Sequence, residues 1–289
     1  MVFDSAVLFA LGAAISYAFA DMAARYGLQN THPLVGTTLL RVTSFVFLAA
    51  IALAAGVFFP PLGMHYFWVI AGGAFNPGLF SVLFMVGISR IGVARAAPIK
   101  GSAPLFATLI AIFLLDERPE WYQMGGVIFI AGGIALISSG KGGSSWRRVD
   151  VLWPVGAAIS SGLGASLWRM GLHAFPEPLA GAAVGSATAL VVVAGYSLVF
   201  YREKILEDAM RVWWPFLLCG CAAAAGSFFF ASALQAGRVF RMVSLIQLSP
   251  LLTVLFALIF LRKAEGITWR VPAGAIATVL GAIMVNLRI

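Results

Sequence analysis

The sequence predicts an all-α integral membrane protein with ten transmembrane helices arranged as two five-helix inverted repeats. Two observations support this fold class. The 289 residues are 61% hydrophobic and only 10% charged, whereas a soluble domain usually has about 25% charged residues. In addition, one apolar stretch interrupted by proline occurs twice. Because a span needs about 20 apolar residues, ten spans fit this chain and leave short loops.

The repeated stretch runs over 92–117 and again over 238–265. Arg95 corresponds to Arg241, and Pro104 to Pro250, at one shift of 146 residues. Each copy also ends on acidic residues, Glu117 in the first and Glu265 in the second. A long apolar helix broken by proline in each half is typical of folds in which two half-molecules build one cavity between them.

Proline, glycine and charged residues divide the chain into ten apolar runs. The predicted spans are 4–25, 33–57, 66–88, 92–115, 120–138, 151–170, 177–200, 213–236, 239–262 and 269–287. A linker rich in glycine and serine follows the fifth span, so the two five-helix repeats are predicted over 1–140 and 149–289. The first run has neither a basic start nor a cleavage signal, and we expect it to be retained as a span.

Other matches between the halves follow the same order along the chain. Residues 12–16 return unchanged as 156–160, and Pro33 corresponds to Pro178. Gly126 and Gly133 of the fifth span correspond to Gly274 and Gly281 of the tenth, a stripe that favours close helix packing. Each half has an odd number of spans, so the second half enters the membrane from the opposite side, which predicts an inverted repeat.

The net charge of +8 does not indicate a nucleic-acid partner, because the basic residues are scattered over the loops. One side of the predicted membrane collects twelve of the 19 Lys and Arg and the other side five, with Arg41 and Lys100 inside spans. The positive-inside rule then places both termini outside an inner (plasma) membrane. The expected partners are the lipid bilayer and a small-molecule substrate.

Three charged residues well inside predicted spans are candidates, since a charge near mid-bilayer costs roughly 2.5–3.5 kcal/mol on insertion scales. Lys100, four residues before Pro104, either attracts an anionic group or is a structural or snorkelling lysine. Asp21 either forms an ion pair with Arg25, four residues later, or binds a proton that drives transport. Arg41 is predicted to be an anchor that snorkels to the membrane interface.

Further candidates are polar or aromatic residues in or near helix breaks. Proline within 76–78 interrupts the third span and frees backbone carbonyls, which either line a site or merely kink the helix. Aromatic residues are more often packing residues than ligands. The complete set of candidate substrate-binding residues is Lys100, Tyr17, Asn76, Trp168, Gln247 and Phe228, with Asp21 as the candidate for proton coupling.

The chain has no zinc-protease, nucleophile-elbow or phosphate-loop motif, and its three histidines fall at span ends. Cys219 and Cys221 are two residues apart on one helix and cannot form a normal disulfide. We therefore predict that the protein is not an enzyme and needs neither a metal nor another cofactor.

The sequence resembles the drug/metabolite transporter superfamily, specifically its ten-helix EamA-type members. The residues that carry the resemblance are 103–105 with 116–117 in the first half, the corresponding 249–251 with Glu265 in the second half, and the glycines of the fifth and tenth spans. The resemblance covers nearly the whole chain. It implies two inverted repeats, a cavity formed by spans 1–4 and 6–9, alternating access and small metabolites as substrates. Members of this family generally have cytoplasmic termini, and Lys100 is not part of the family pattern.

The leading functional hypothesis is a secondary transporter that exports small, amino-acid-like metabolites, including aromatic ones. An exchanger of sugar phosphates or nucleotide sugars is the alternative, in which Lys100 and Arg95 would bind phosphate. A membrane scaffold that transports nothing is a third hypothesis from another class.

Overall fold

The structure is a computed structural model that describes residues 4–27, 31–57, 59, 63–91, 96, 99–138, 147–174, 177–260 and 270–287. Several predicted features lie outside the described residues, namely Arg95, Glu265 and the linker 139–146. The side chains of Arg25 and Pro250 are outside the description as well.

The regular structure of the described residues is entirely helical. The first half contains α1 (Ser5–Gly27), α2 (Pro33–Ala54), α3 (Met64–Gly73), a π-helix (Ala74–Leu79), α4 (Phe80–Ile91), α5 (Ala103–Leu115) and α6 (Trp121–Ser138). A short 3-10 helix (Arg148–Val151) leads into the second half, which contains α7 (Leu152–Ala174), α8 (Pro178–Ala236), α9 (Val239–Ile246), α10 (Ser249–Phe260) and α11 (Arg270–Asn286).

Six of the ten predicted spans are long and apolar enough to cross a membrane within the described part of the chain. They are Ser5–Ala24, Pro33–Ala54, Met64–Ile88, Val149–His173, Pro178–Tyr201 and Trp213–Ala236. Four shorter apolar helices, Ala103–Leu115, Trp121–Leu136, Val239–Thr253 and Ile276–Val285, lie where the other four spans are predicted. The apolar spans confirm the membrane class of the fold.

Helical backbone continues from the seventh predicted span through 202–212 into the eighth, so the connection between them is helical, while Pro178–Tyr201 and Trp213–Ala236 are two separate spans. The residues between them, 202–212, contain neither glycine nor proline and are rich in Glu, Lys, Leu, Met and Arg. Most of these are good helix formers, which favours a helical connection. Helix α8 is nevertheless not straight, because Ser197 and Phe216 would lie about 28 Å apart on a straight helix, whereas their partners are only five residues apart on α2. Both apolar parts of α8 contact α2: Thr38 Oγ1 donates to Ser197 Oγ at 2.9 Å, and Thr43 Oγ1 donates to the Phe216 carbonyl at 3.0 Å.

Three helices of the bundle are interrupted, and two of the interruptions occupy equivalent positions in the halves. The turn 101–102 precedes α5, whose second residue is Pro104, and the turn 247–248 separates α9 from α10. Proline is favoured in a first helical turn because its missing N–H would have no helical partner there. The third interruption is the π-helix, in which Asn76 has non-helical φ and ψ angles before Pro77.

The two halves pack in a reciprocal manner. Helix α1 crosses the second part of α8, where a Cβ on Gly12 would lie 3.2 Å from the Phe229 ring. Helix α7, the counterpart of α1, crosses α3 in the same way, and a Cβ on Gly171 would lie 2.6 Å from Val69. Each first helix of a half therefore packs on the third span of the other half.

The fifth and tenth spans pack against each other through the glycines that the sequence singles out. A Cβ on Gly126 would lie 2.7 Å from the Gly281 carbonyl oxygen, and a Cβ on Gly133 would lie 2.6 Å from the Gly274 carbonyl oxygen. Both distances are too short for any larger residue to fit without moving a helix. This contact confirms the close helix approach predicted for the stripe, and no described side chain of either helix is among those that line the cavity described below.

Candidate functional site

All three helix interruptions meet at one cavity of about 170 Å³. Asn76 and Pro77 contribute from the π-helix, Lys100 lies just before the turn that precedes α5, and Gln247 and Ser249 flank the start of α10. Interrupted helices expose backbone groups inside a membrane protein only where they line a cavity or are buried by other helices. The prolines and glycines that interrupt these helices therefore account for the polar groups of this site.

Lys100 projects its ammonium group onto two aromatic rings of α4. Its Nζ atom lies 4.7 Å from the centroid of the Phe84 ring and 5.2 Å from that of Phe80. Among the described residues, none places a carboxylate oxygen within 4.0 Å of this nitrogen. The ring faces stabilise the cation by an electrostatic attraction of about 0.5–2 kcal/mol and leave its positive charge available to the cavity.

Arg41 also lines the cavity, a role that the sequence did not predict for it; its anchoring of α2 at the membrane interface stays a prediction. Its Nη2 atom donates to Ser81 Oγ at 3.1 Å, and Ser81 Oγ donates to the Pro77 carbonyl at 2.6 Å. The backbone break in the third span therefore holds the guanidinium group inward. Sequence reasoning missed this residue because the partner hydroxyl is 40 positions away.

The other predicted site residues fall into two groups. Asp21, Tyr17, Asn76 and Gln247 line the cavity together with Lys100. Asp21 is exposed, which shows that the cavity reaches the protein surface towards the C-terminal end of α1. Its predicted partner Arg25 has no described side chain, so the ion pair stays a prediction.

Trp168 and Phe228 are not among the residues that line the cavity. Trp168 is 2% exposed and donates from Nε1 to the Asn76 carbonyl at 3.0 Å. It therefore contacts the backbone of the π-helix interruption without lining the cavity. Phe228 is partly buried and packs against the main apolar core. Phe230, two residues later, is the aromatic residue of α8 that does reach the cavity.

A second polar cluster, the Glu117 cluster, joins the halves near the start of α1. The carboxylate of Glu117 accepts hydrogen bonds from the backbone N–H of Val239 at 2.6 Å and of Phe240 at 3.1 Å. It thereby caps the N-terminus of α9, whose own N-cap residue Arg238 provides no side-chain cap. Burial raises the pKa of Glu117 above its usual value, although these two N–H groups, Arg169 and Arg238 oppose the rise.

Two arginines complete the Glu117 cluster. Arg169 donates to the backbone carbonyls of Leu234 and Gln235, which lie in the last turn of α8. Arg241 forms an ion pair with Asp4 across 3.2 Å, immediately before α1. Tyr17 lies 13 residues further along α1, or about 20 Å at 1.5 Å per residue. The cluster therefore fastens one end of the bundle, well away from the exposed Asp21.

A sequence profile described as the EamA-like transporter family matches residues 4–139 and again residues 149–287. The chain belongs to the EamA-like transporter family. This EamA-like chain is thus a multi-pass membrane protein from a family of transporters, in agreement with the prediction that it is not an enzyme.

Two curated proteins share local sequence similarity with the EamA-like chain. A "Probable terminal-alkyne amino-acid exporter" from Streptantibioticus cattleyicolor is 30% identical over 150 residues, which cover 50% of this chain and 48% of that protein. A chloroplastic phosphoenolpyruvate/phosphate translocator 3 from Oryza sativa subsp. japonica is 32% identical over 68 residues, 24% of this chain and 17% of that protein. The chain therefore matches less than half the length of either relative.

A solved crystal structure has the same fold as the EamA-like chain. It aligns with a TM-score of 0.77 over 98% of this chain and 99% of its own chain, at 17% sequence identity. At this identity the likeness concerns the fold alone.

Proposed function

We propose that the protein is a secondary transporter that exports small, amino-acid-like metabolites across the inner (plasma) membrane by alternating access. One observation carries this proposal above all: three interrupted helices converge on a cavity that holds the cations of Lys100 and Arg41. Two positive charges with no described carboxylate oxygen within 4.0 Å favour a solute with an anionic group, although Asp21 lines the same cavity. Phe80 and Phe230 provide apolar surface for the rest of such a solute.

Reciprocal packing supports the alternating-access part of the proposal. Because α1 and α7 each pack on the third span of the opposite half, exchanging the halves preserves this pair of contacts. An inverted pair of five-helix units would have two equivalent conformations, one open to each side, around a site at mid-depth. The ten transmembrane helices, the inversion and the outside position of both termini are parts of this proposal.

Asp21 is the proposed proton-coupling residue. Its carboxylate lines the same cavity as Lys100 and Arg41 and is exposed where the cavity reaches the surface. A carboxylate at this place can receive the ammonium group of an amino acid or a proton in alternate steps. An amino-acid-like zwitterion would then find both of its charges matched within one cavity.

An exchanger of phosphate esters is the second candidate. The two cations of the cavity and the local similarity to a phosphoenolpyruvate/phosphate translocator support it. Counterflow in proteoliposomes distinguishes the two candidates, because each solute is offered against its own unlabelled form. Flux of amino acids without flux of phosphate esters supports the leading proposal, and the reverse supports the exchanger. No flux for any member of a broad panel would contradict both.

Replacing Lys100 with methionine is expected to weaken binding of the transported solute by about 10- to 100-fold, because a charge-assisted hydrogen bond contributes about 1.5–3 kcal/mol. Methionine keeps an apolar stem for contact with Phe80 and Phe84. The apparent KM in counterflow measures the effect. Arg118→Gln is the control, since the Arg118 side chain is 83% exposed in a loop and pairs with Asp116. Unchanged KM in Lys100→Met would remove Lys100 from the proposed site.

A further inference from the structure

Within the described part of the chain, the Arg41 side chain makes one hydrogen bond. Its Nη2–Ser81 contact is to a neutral hydroxyl, whereas a guanidinium group has five N–H donors. The Nε atom is fully buried and has no hydrogen-bond partner. None of the described carboxylates comes within 4.0 Å of the group. Buried polar groups are nearly always hydrogen-bonded, so this arrangement is incomplete as it stands.

Other buried cations of the bundle are better satisfied. Arg169 donates to two backbone carbonyls at the end of α8. Lys100 lies over the ring faces of Phe80 and Phe84, which attract a cation. The described residues give Arg41 neither backbone carbonyl acceptors nor ring faces of this kind, although it occupies the same cavity as Lys100. Because Arg41 lines the cavity, the N–H groups of its terminal nitrogens that Ser81 does not engage are available to a solute there, whereas the buried Nε is not.

The position of Arg41 is also fixed more firmly than that of a freely rotating surface arginine. Ser81 Oγ gives its hydrogen to the Pro77 carbonyl and accepts the Arg41 hydrogen on a lone pair. The carbonyl belongs to the π-helix interruption, whose residues Asn76 and Pro77 line the same cavity. The guanidinium group is thus tied to the break in the third span.

We propose that Arg41 is the specificity-determining residue that binds the carboxylate of the substrate, and that Ser81 orients its guanidinium group. This inference rests on the proposed function and sharpens it. The substrate class is small organic acids with a planar carboxylate, because a guanidinium fork can bind both carboxylate oxygens in parallel. Lys100, a point charge over aromatic rings, then acts as a second, less directional contact.

The test compares a carboxylic acid with its primary amide in counterflow, using the amino acid that the wild type moves fastest, with L-phenylalanine and L-phenylalaninamide as the first pair. Arg41→Gln is expected to lower kcat/KM for the acid at least about tenfold and to change that for the amide less than about threefold. Arg41→Lys keeps the positive charge but loses the fork, so it is expected to lower the acid-to-amide ratio at least about threefold.

Ser81→Ala isolates the orienting role. It is expected to raise KM for the acid while kcat is retained, because the guanidinium group remains but is no longer held. Ser232→Ala is the matched control, since Ser232 Oγ donates to the Phe228 carbonyl four residues earlier at 2.9 Å, as Ser81 Oγ does to the Pro77 carbonyl. Equal effects of the two serine variants would contradict the orienting role.

Loss of acid and amide flux in equal proportion would overturn the inference about Arg41 and leave the proposed transport intact. If Arg41→Gln does not fold, Arg41→Lys decides in the same way. If the wild type moves no solute, the proposed function fails, and melting temperature tests the binding role alone. In that case benzoate must raise the melting temperature of the wild type more than benzamide does, and must not raise that of Arg41→Gln. Any other result contradicts the inference.

Discussion

Replacing Gly185 with alanine is expected to destabilise the protein by about 3 kcal/mol, because a Cβ there would overpack the core. That atom would lie 2.1 Å from Cζ2 of Trp168, and a Cβ on the facing Gly73 would lie 2.4 Å from the Gly185 carbonyl oxygen. Neither neighbour can move freely, since Trp168 is 2% exposed and is hydrogen-bonded to the Asn76 carbonyl. Valine at position 185 is expected to prevent folding.

Thermal melting of the purified protein in detergent measures this effect. A loss of about 3 kcal/mol corresponds to a melting temperature lower by about 6–12 °C for a chain of this size. Gly195→Ala is the matched control on the same helix, because a Cβ on Gly195 meets no heavy atom within 4 Å. There alanine is expected to be neutral or slightly stabilising, since it is the better helix former.

A double variant separates the steric cause from the helix propensity of glycine. In the background Trp168→Ala, which removes the indole ring, Gly185→Ala is expected to cost far less than it does in the wild type. An equal cost in both backgrounds would show that the indole ring is not what excludes a side chain at position 185.

Local rules in the sequence predict much of this architecture. The prolines of the fourth and ninth spans predict equivalent helix interruptions, and the structure has turns at 101–102 and 247–248. The glycine stripes predict the close pair formed by the fifth and tenth spans. These features follow from single residues with strong conformational preferences, and a repeated sequence shows them twice.

Contacts between distant residues could not be predicted in this way. Arg41 gives the same sequence signal whether its side chain reaches the membrane interface or a hydroxyl on another helix. Trp168 gives the signal of a pocket aromatic, but Gly72 and Gly185 open a slot that takes its ring. The helical connection 202–212 was missed for another reason: a charged stretch between two apolar runs suggests a loop even where most of its residues favour a helix.

Replacing Glu117 with alanine is the other change with a large expected effect, a loss of about 2–5 kcal/mol. The backbone N–H groups of Val239 and Phe240 lose their acceptor, and each unsatisfied buried group costs about 1–3 kcal/mol. Both residues are at most 1% exposed, so water cannot replace the carboxylate without rearrangement. Asp116→Asn is the control, because the adjacent Asp116 carboxylate is 80% exposed.

The pH dependence of stability provides a sharper test of the same carboxylate. Because burial raises the pKa of Glu117 in the folded state, the folded protein binds this proton more tightly than the unfolded chain does. The wild type is therefore expected to lose stability relative to Glu117→Gln as the pH rises from about 4 to about 8. Melting curves of the two proteins across this range measure the difference. A difference that stays constant, or grows in the other direction, would contradict the buried environment described for Glu117.

Flux measurements connect the Glu117 cluster to the proposed transport cycle. The carboxylate belongs to the first half and caps a helix of the second half, so opening the bundle at this end must break its two hydrogen bonds. Glu117→Gln keeps one neutral acceptor oxygen and replaces the other by an NH2 group that cannot accept, so one of the two hydrogen bonds is lost and the other is no longer charge-assisted. In proteoliposomes the variant is expected to change kcat for counterflow and its pH profile, while KM stays near the wild-type value because the cavity residues are untouched. A change confined to KM would instead mean that Glu117 acts on the solute site itself. It would contradict the idea that the hydrogen bonds of Glu117 break when the bundle opens at this end.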